Sequence, residues 1–264
     1  MEKSNSSGYS GRKGVITAAF VLGIGLGGFF DGILLHQVLQ WHHLLSLVPG
    51  EAFRDLGTQI LADGLFHVLM YAVTATGLWM LWRRRGDLRD PRAAGAVAGG
   101  ALLGFGVWNI IDVGFFHWLL GIHRIRVNVP DPMLYDVTWL VLFGLSATLA
   151  GWLVLKRRPR SDTGNGVAAG GLLSLLALIA APLAALPAPG TDTAVVLFRP
   201  GTAPGAAINA ALAADARILW ADSDARLMAV SLDPSTSVKG LYAAGALLVT
   251  RSPALAGCAV AVRA

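Results

Sequence analysis

Six histidines, His36, His42, His43, His67, His117 and His123, all fall in the first half of this chain, and aspartates accompany them. Three pairings recur: Asp31-Gly-Ile-Leu-Leu-His36, Asp63-Gly-Leu-Phe-His67 and Asp112-Val-Gly-Phe-Phe-His117. Imidazole beside carboxylate suits copper, zinc, iron or nickel, and a carboxylate commonly orients a ligating histidine. Two histidines on facing helices can instead ligate haem. The same residue types relay protons when they lie inside a membrane.

Spacing sorts these candidates. The i,i+4 interval puts Asp63 and His67 on one helical face. The i,i+5 interval separates Asp31 from His36, and Asp112 from His117, by about 140° on an ideal α-helix. Those two aspartates are therefore expected to orient a residue from a neighbouring helix. His36, Gln40 and His43, at i, i+4 and i+7, share a stripe able to face a bundle interior. The candidate metal ligands are His36, His67, His117, Asp63 and His43, with Asp31, Asp112, Gln40, Asp136, His42 and His123 expected to orient ligands or handle protons. For His42 and His123 the competing reading is a ring facing lipid headgroups, and for Asp136 a cap on the start of a helix. For the rest it is a helix–helix hydrogen bond. Arg124 and Arg126 can pair with Asp131 or Asp136, or receive an anion.

The elements that must position these residues are membrane helices. Of the 264 residues 55% are hydrophobic and only 14% charged, against about 25% charged in an ordinary soluble domain. Five stretches approach the roughly 20 apolar residues that cross a bilayer. They are Val15–Trp41, Gln59–Trp82, Ala93–Leu120, Leu134–Leu155 and Val167–Leu186. The first runs past signal-peptide length, carries Asp31 and His36, and lacks a small-x-small cleavage site, so it reads as a retained helix. The fifth contains Pro182 and no ionisable group, as an anchor would.

Charge sets their direction. Lys3, Arg12 and Lys13 precede the first span; Arg83, Arg84, Arg85, Arg89 and Arg92 link the second to the third; Lys156, Arg157, Arg158 and Arg160 link the fourth to the fifth. The positive-inside rule then gives a cytoplasmic N-terminus and an exported C-terminus in a bacterial inner membrane. This direction brings the polar residues of four spans to one depth near the outer face. The net charge of +5 is thereby accounted for without nucleic acid. Gly23, Gly25, Gly27, Gly28, Gly100 and Gly104 suit close helix packing, and no strand precedes them as a phosphate loop would require. Trp41, Trp118 and Trp139 at the outer level, and Trp79, Trp82 and Trp152 at the inner, suit interfacial belts. A single cysteine, Cys258, excludes an intramolecular disulfide and a CxxC site.

Beyond a hinge at Pro187 and Pro189, short apolar runs alternate with Ala-rich stretches in the order β-α-β-β-α-β, with Asp222-Ser223-Asp224 as a hairpin turn. The expected fold is an all-α membrane bundle, a four-helix core plus a fifth anchoring helix, followed by a small α+β domain of ferredoxin-like type. Its parts are a tail (1–13), the His/Asp-rich four-helix domain (14–160), the fifth helix and hinge (161–190) and the exported domain (191–264). The last has no histidine and one cysteine, so it lacks the ligands of a metal carrier; it suits capping or binding a periplasmic partner.

The stretches FFDGILLHQVLQWHHLLS (Phe29–Ser46), LADGLFHVL (Leu61–Leu69) and DVGFFHWLLGIHRIR, within Ile111–Tyr135, resemble a bacterial family of predicted membrane proteins known as domain of unknown function 2243. The resemblance covers roughly residues 14–158 and leaves the C-terminal part as an extension. It implies a setting alongside respiratory-oxidase assembly proteins, and with it copper or haem handling at the outer membrane face. Residues and resemblance together point to binding of a transition metal or haem. A metal-dependent membrane enzyme is the alternative, with an aspartate as general base on a bound water. An ion or proton transporter is a third, weakened by the almost wholly apolar inner halves of the spans.

Overall fold

A computed structural model describes residues 2–39, 41–54, 56–157, 165–187, 192–233 and 235–252; Gln40, Arg158, Arg160, Pro189 and Cys258 lie outside the described residues. Long apolar segments become helices because in lipid each backbone N–H and C=O must find its partner inside the segment. Helix α1 (Glu2–Asp31) continues into a π-helical turn over Gly32–Val38. The short α2 (Glu51–Arg54) precedes α3 (Leu56–Arg83). Helix α4 (Ala93–Ile111) also ends in a π-helical stretch, Asp112–Leu119. Helix α5 (Pro132–Trp139), a π-helical segment over Leu140–Leu145 and α6 (Ser146–Lys156) follow without a break, and α7 covers Gly166–Ala184.

Among the described residues, five helices are long and apolar enough to cross a membrane: Gly11–His36, Leu61–Arg83, Ala93–Leu119, Pro132–Lys156 and Gly166–Ala184. The first ends earlier than expected. The Leu39 N–H donates to the Leu34 carbonyl (2.9 Å) and the Trp41 N–H to that of Leu35 (2.8 Å), which closes the helix before Trp41. His43 therefore lies in a loop and not on the helical stripe expected to carry it with His36; Gln40, the third member of that stripe, lies outside the described residues.

Glycine brings α1 and α4 into backbone contact. A methyl group on Gly23 would run into the carbonyl oxygen of Ala101, and one on Gly104 into that of Phe20. Small residues at such crossings let dispersion contacts hold helices together where lipid removes the hydrophobic drive. Outward-facing Leu142, Leu145, Leu149, Leu172, Leu175 and Leu178 stay exposed, a surface matched to acyl chains. Helix α7 does more than anchor. Its Leu173 and Ala177 join the core of α1, α3 and α4, and the Tyr71 hydroxyl donates to the Ala181 carbonyl at 2.5 Å. Asn165 caps its start, accepting from the N–H groups of Val167 and Ala168. Trp139, expected in an interfacial belt, is instead buried and donates to Asn109 Oδ1 at 2.7 Å.

The C-terminal part has the element order expected for it: β1 (Thr193–Phe198), α8 (Pro204–Ala213), β2 (Arg217–Ala221), β3 (Leu227–Ser231), α9 (Lys239–Ala243) and β4 (Ala246–Thr250). The antiparallel sheet has the order β2-β3-β1-β4, that of a split βαβ sandwich. Alternate residues Val196 and Phe198 of β1 and Met228 and Val230 of β3 pack against Ala207, Ala211 and Leu241 of the helices. The β2–β3 turn is tied by Asp222 Oδ1, which accepts from the N–H groups of Arg226 (2.8 Å) and Leu227 (3.2 Å).

Candidate metal centre

The π-helical turns decide the geometry. In a π-helix the backbone bond joins i to i+5, so residues five apart come together rather than 140° apart. Asp112 and His117 face each other directly, with His117 Nε2 3.2 Å from Asp112 Oδ2. Asp31 and His36 approach similarly, at 4.0 Å between Oδ2 and Nε2. The ideal-helix expectation is overturned at both places: each aspartate lies beside the histidine of its own helix.

Each helix is then followed by a loop histidine that folds back. His42 Nε2 lies 3.0 Å from His36 Nε2 and 4.0 Å from Asp31 Oδ1. His123 Nε2 lies 3.4 Å from Asp112 Oδ1. The results are two buried groups, Asp31/His36/His42 and Asp112/His117/His123, each offering one ligand atom per residue within 4.8 Å of the others. Bonds of about 2.0–2.1 Å to a tetrahedral ion put its ligand atoms about 3.3 Å apart. Both groups are compatible with a metal ion.

Hydrogen bonding fixes how these rings face. His42 Nδ1–H donates to the Ile125 carbonyl (3.0 Å), His123 Nδ1–H to that of Leu44 (3.1 Å) and His67 Nδ1–H to that of Asp63 (2.7 Å). His117 Nδ1–H donates to Asp136 Oδ1 at 3.0 Å. With Nδ1 protonated, a neutral ring keeps its lone pair on Nε2. Among the described residues, Nε2 of His67, His117 and His123 and Oδ1 of Asp31 are buried without a hydrogen-bond partner. The rings form one run: His67 against His36 (6.4 Å between centroids), His36 against His42 (4.5 Å), His42 stacked on His123 (4.8 Å), and His123 against His117 (4.6 Å).

Two more aspartates frame the run. Asp136 accepts from His117, Trp118 Nε1 (3.1 Å), Arg124 Nη1 (2.7 Å) and the Ile125 N–H (3.0 Å). Asp131, not Asp136, caps α5 by accepting from the Leu134 N–H. Asp63 accepts from the Leu44 N–H (2.9 Å) and from His43 Nδ1 (2.8 Å), with its Oδ1 3.8 Å from His36 Nδ1. Asp63 and His67 share a face, yet the carboxylate turns towards the loop. The hydrogen bond to Asp63 raises the pKa of His43, whereas burial holds that of His42 well below its ordinary value.

A family model described as a predicted membrane protein, DUF2243, matches residues 18–158. The chain belongs to this family. No curated protein and no solved structure matches it. The DUF2243 segment contains all six histidines and the four aspartates around them, and ends before α7 and the C-terminal sheet.

Within that segment the structure brings together His36, His42, His67, His117 and His123 with Asp31 and Asp112, all of them buried. His43 is separate: it is exposed and hydrogen-bonded to Asp63 at the rim. Arg124 is engaged by Asp136, and Arg126 donates to the Tyr135 hydroxyl and lies over the rings of Trp41 and Tyr135. Sequence reasoning missed Trp118 as a partner of Asp136, and it missed the carbonyls of Leu44 and Ile125. Trp118 directly follows His117, a hint in hindsight; backbone carbonyls leave no mark in a sequence.

Proposed function

We propose that this chain is a transition-metal-binding protein of a bacterial inner membrane, with its buried His/Asp cluster at the extracytoplasmic end of the four-helix domain (14–160). One observation carries the reading. His117 and His123 are held by Nδ1 and direct otherwise unpartnered Nε2 atoms at Asp112, and His42, also held by Nδ1, directs Nε2 at His36 and Asp31, so that each group has its ligand atoms within reach of one ion. A ligating histidine is commonly fixed in this way through its other ring nitrogen. Charge supports the same conclusion. Among the described residues, Asp31, Asp63, Asp112 and Asp136 are met by a single guanidinium, that of Arg124, so bound protons or cations must balance the rest.

Basic residues Arg83, Arg84, Arg85, Arg89 and Arg92 at the opposite end support a cytoplasmic N-terminus and an exported C-terminal domain (191–264) beyond the fifth helix and hinge (161–190). The proposed ligands are His36, His42, His67, His117, His123, Asp31 and Asp112. Asp63, with exposed His43, stands between the cluster and solvent and suits entry of the ion. Imidazole–carboxylate sets take zinc, copper(II) or iron, and copper or iron would suit a role in supplying a respiratory oxidase. Haem is disfavoured, because the five rings pack against one another where a macrocycle would have to lie.

The test is direct. Protein purified in detergent without chelator is analysed for metals and for visible absorption. Bound zinc, copper or iron, reduced in amount in His36→Ala and in His117→Ala, is the expected result, with no Soret band. Metal-free protein that fails to take up zinc, copper or iron on titration would overturn the reading.

A further inference from the structure

The two His/Asp groups are copies of one device. Asp31, His36 and His42 stand at the same intervals as Asp112, His117 and His123, displaced by 81 residues. The backbone repeats with them. Leu120 N–H donates to the Phe115 carbonyl (2.8 Å) and Ile122 N–H to that of Phe116 (3.1 Å), as Leu39 and Trp41 do one repeat earlier. The framing carboxylates repeat as well: Asp63 accepts from Leu44 N–H and from His43, Asp136 from Ile125 N–H and from Arg124.

Crossed contacts show how the copies are related. His42 of the first donates to Ile125 of the second, and His123 of the second donates to Leu44 of the first. Gly23 meets the Ala101 carbonyl, and its counterpart Gly104 meets that of Phe20, the counterpart of Ala101. Exchange of equivalent contacts in both directions is the signature of a two-fold relation. α1 and α4 enter their groups in the same sense, so the axis runs along the bundle and passes between the stacked rings of His42 and His123.

We propose that each repeat holds one divalent transition-metal ion, so that the DUF2243 bundle carries a two-metal centre astride this axis. The inference rests on the metal-binding reading above and deepens it. The two halves are not identical. His67, whose Nε2 is unpartnered and whose ring meets His36, has Leu140 in the corresponding stretch of the fourth span. The first repeat thus holds two imidazoles and a carboxylate within ligand distance, with His67 beside them as a third imidazole that completes a tetrahedral set once its ring moves towards the ion. The second offers two imidazoles and a carboxylate, which leaves a coordination position open, as catalytic zinc sites do. The two ions therefore bind with different affinities, the first more tightly.

The full chain in detergent, stripped by chelator, is titrated with Co²⁺ and the bound metal counted by mass spectrometry. Two ions per chain are expected, with magnetic coupling between them. His36→Ala should leave one ion, His117→Ala should leave the other, and His67→Ala should weaken the tighter ion by tenfold or more. A count of one per chain in the unaltered protein, lost in both His36→Ala and His117→Ala, would overturn the two-metal centre while sparing the metal-binding reading. A count of zero would overturn both. The count and the coupling are read on unaltered protein, so they stand even where a variant fails to fold.

Discussion

Asp136 joins four donors from two parts of the chain, so Asp136→Asn tests the framework of the second group most sharply. The carboxylate is fully buried and accepts from His117, Trp118, Arg124 and Ile125. Asparagine keeps the size and one oxygen, so the Ile125 N–H and His117 Nδ1–H retain an acceptor. Its NH₂ group then faces the Trp118 Nε1–H and the Arg124 guanidinium, donor against donor. Breaking a buried ion pair by removing one partner costs about 3–5 kcal/mol. Arg124 is a quarter exposed and can reach water, which places the loss near the lower end, about 3 kcal/mol. Metal affinity should fall about 10–100-fold, since the residue that orients His117 changes. Chemical denaturation in detergent measures the first quantity and Co²⁺ titration the second. The double variant Asp136→Asn/Arg124→Leu removes the stranded charge, so it should regain stability but not affinity. Full stability and unchanged affinity in Asp136→Asn would refute the hub role of Asp136. Recovery of affinity together with stability would assign the loss to helix packing rather than to the orientation of His117.

Two further outcomes follow from particular residues. Burial, then repulsion from His36 and His123, holds the His42 imidazole well below its ordinary value. An unfolded chain takes up that proton near pH 6.5 and the folded one only lower, so stability present at neutral pH is lost as pH falls through this window. Metal-free protein should melt at a lower temperature at about pH 5.5 than at about pH 7.5, and His42→Gln should flatten the dependence; equal slopes in the two proteins would contradict the account. At the helix crossing, Gly104→Ala drives a methyl group into the Phe20 carbonyl, whereas Gly171→Ala on α7 meets nothing within 4 Å. The first should cost about 1–3 kcal/mol in a denaturation experiment and the second nothing; similar losses at both would show that α1 and α4 do not touch there.

Much of this architecture was legible in the sequence, and the reason is the bilayer. Lipid permits few ways to satisfy a backbone, so five apolar blocks had to be five helices, and loop arginines were enough to suggest their direction. The C-terminal strands were legible for a different reason: Val196 and Phe198, or Met228 and Val230, alternate with the period of a strand. The clustering of histidines at one end followed from helix direction alone.

The detail of the site was hidden by one wrong assumption about winding. On an α-helix, Asp-x₄-His cannot converge, so Asp31 and Asp112 were expected to serve neighbouring helices. That interval is the one a π-turn brings together, and both arms contain it. The repeat was hidden by a related irregularity. Asp63 and Asp136 correspond at an offset of 73 residues, but Thr74 and Thr148, which meet Gly25 and Gly106, correspond at 74. The extra residue falls in the π-helical segment over Leu140–Leu145. Such segments are rare and concentrate at functional sites. The described spans contain three, and two of them begin at or next to Asp31 and Asp112, the aspartates of the two His/Asp groups. Their unfavourable winding is thus located where a bound ion could compensate for it, which links the local backbone of this bundle to the chemistry proposed for it.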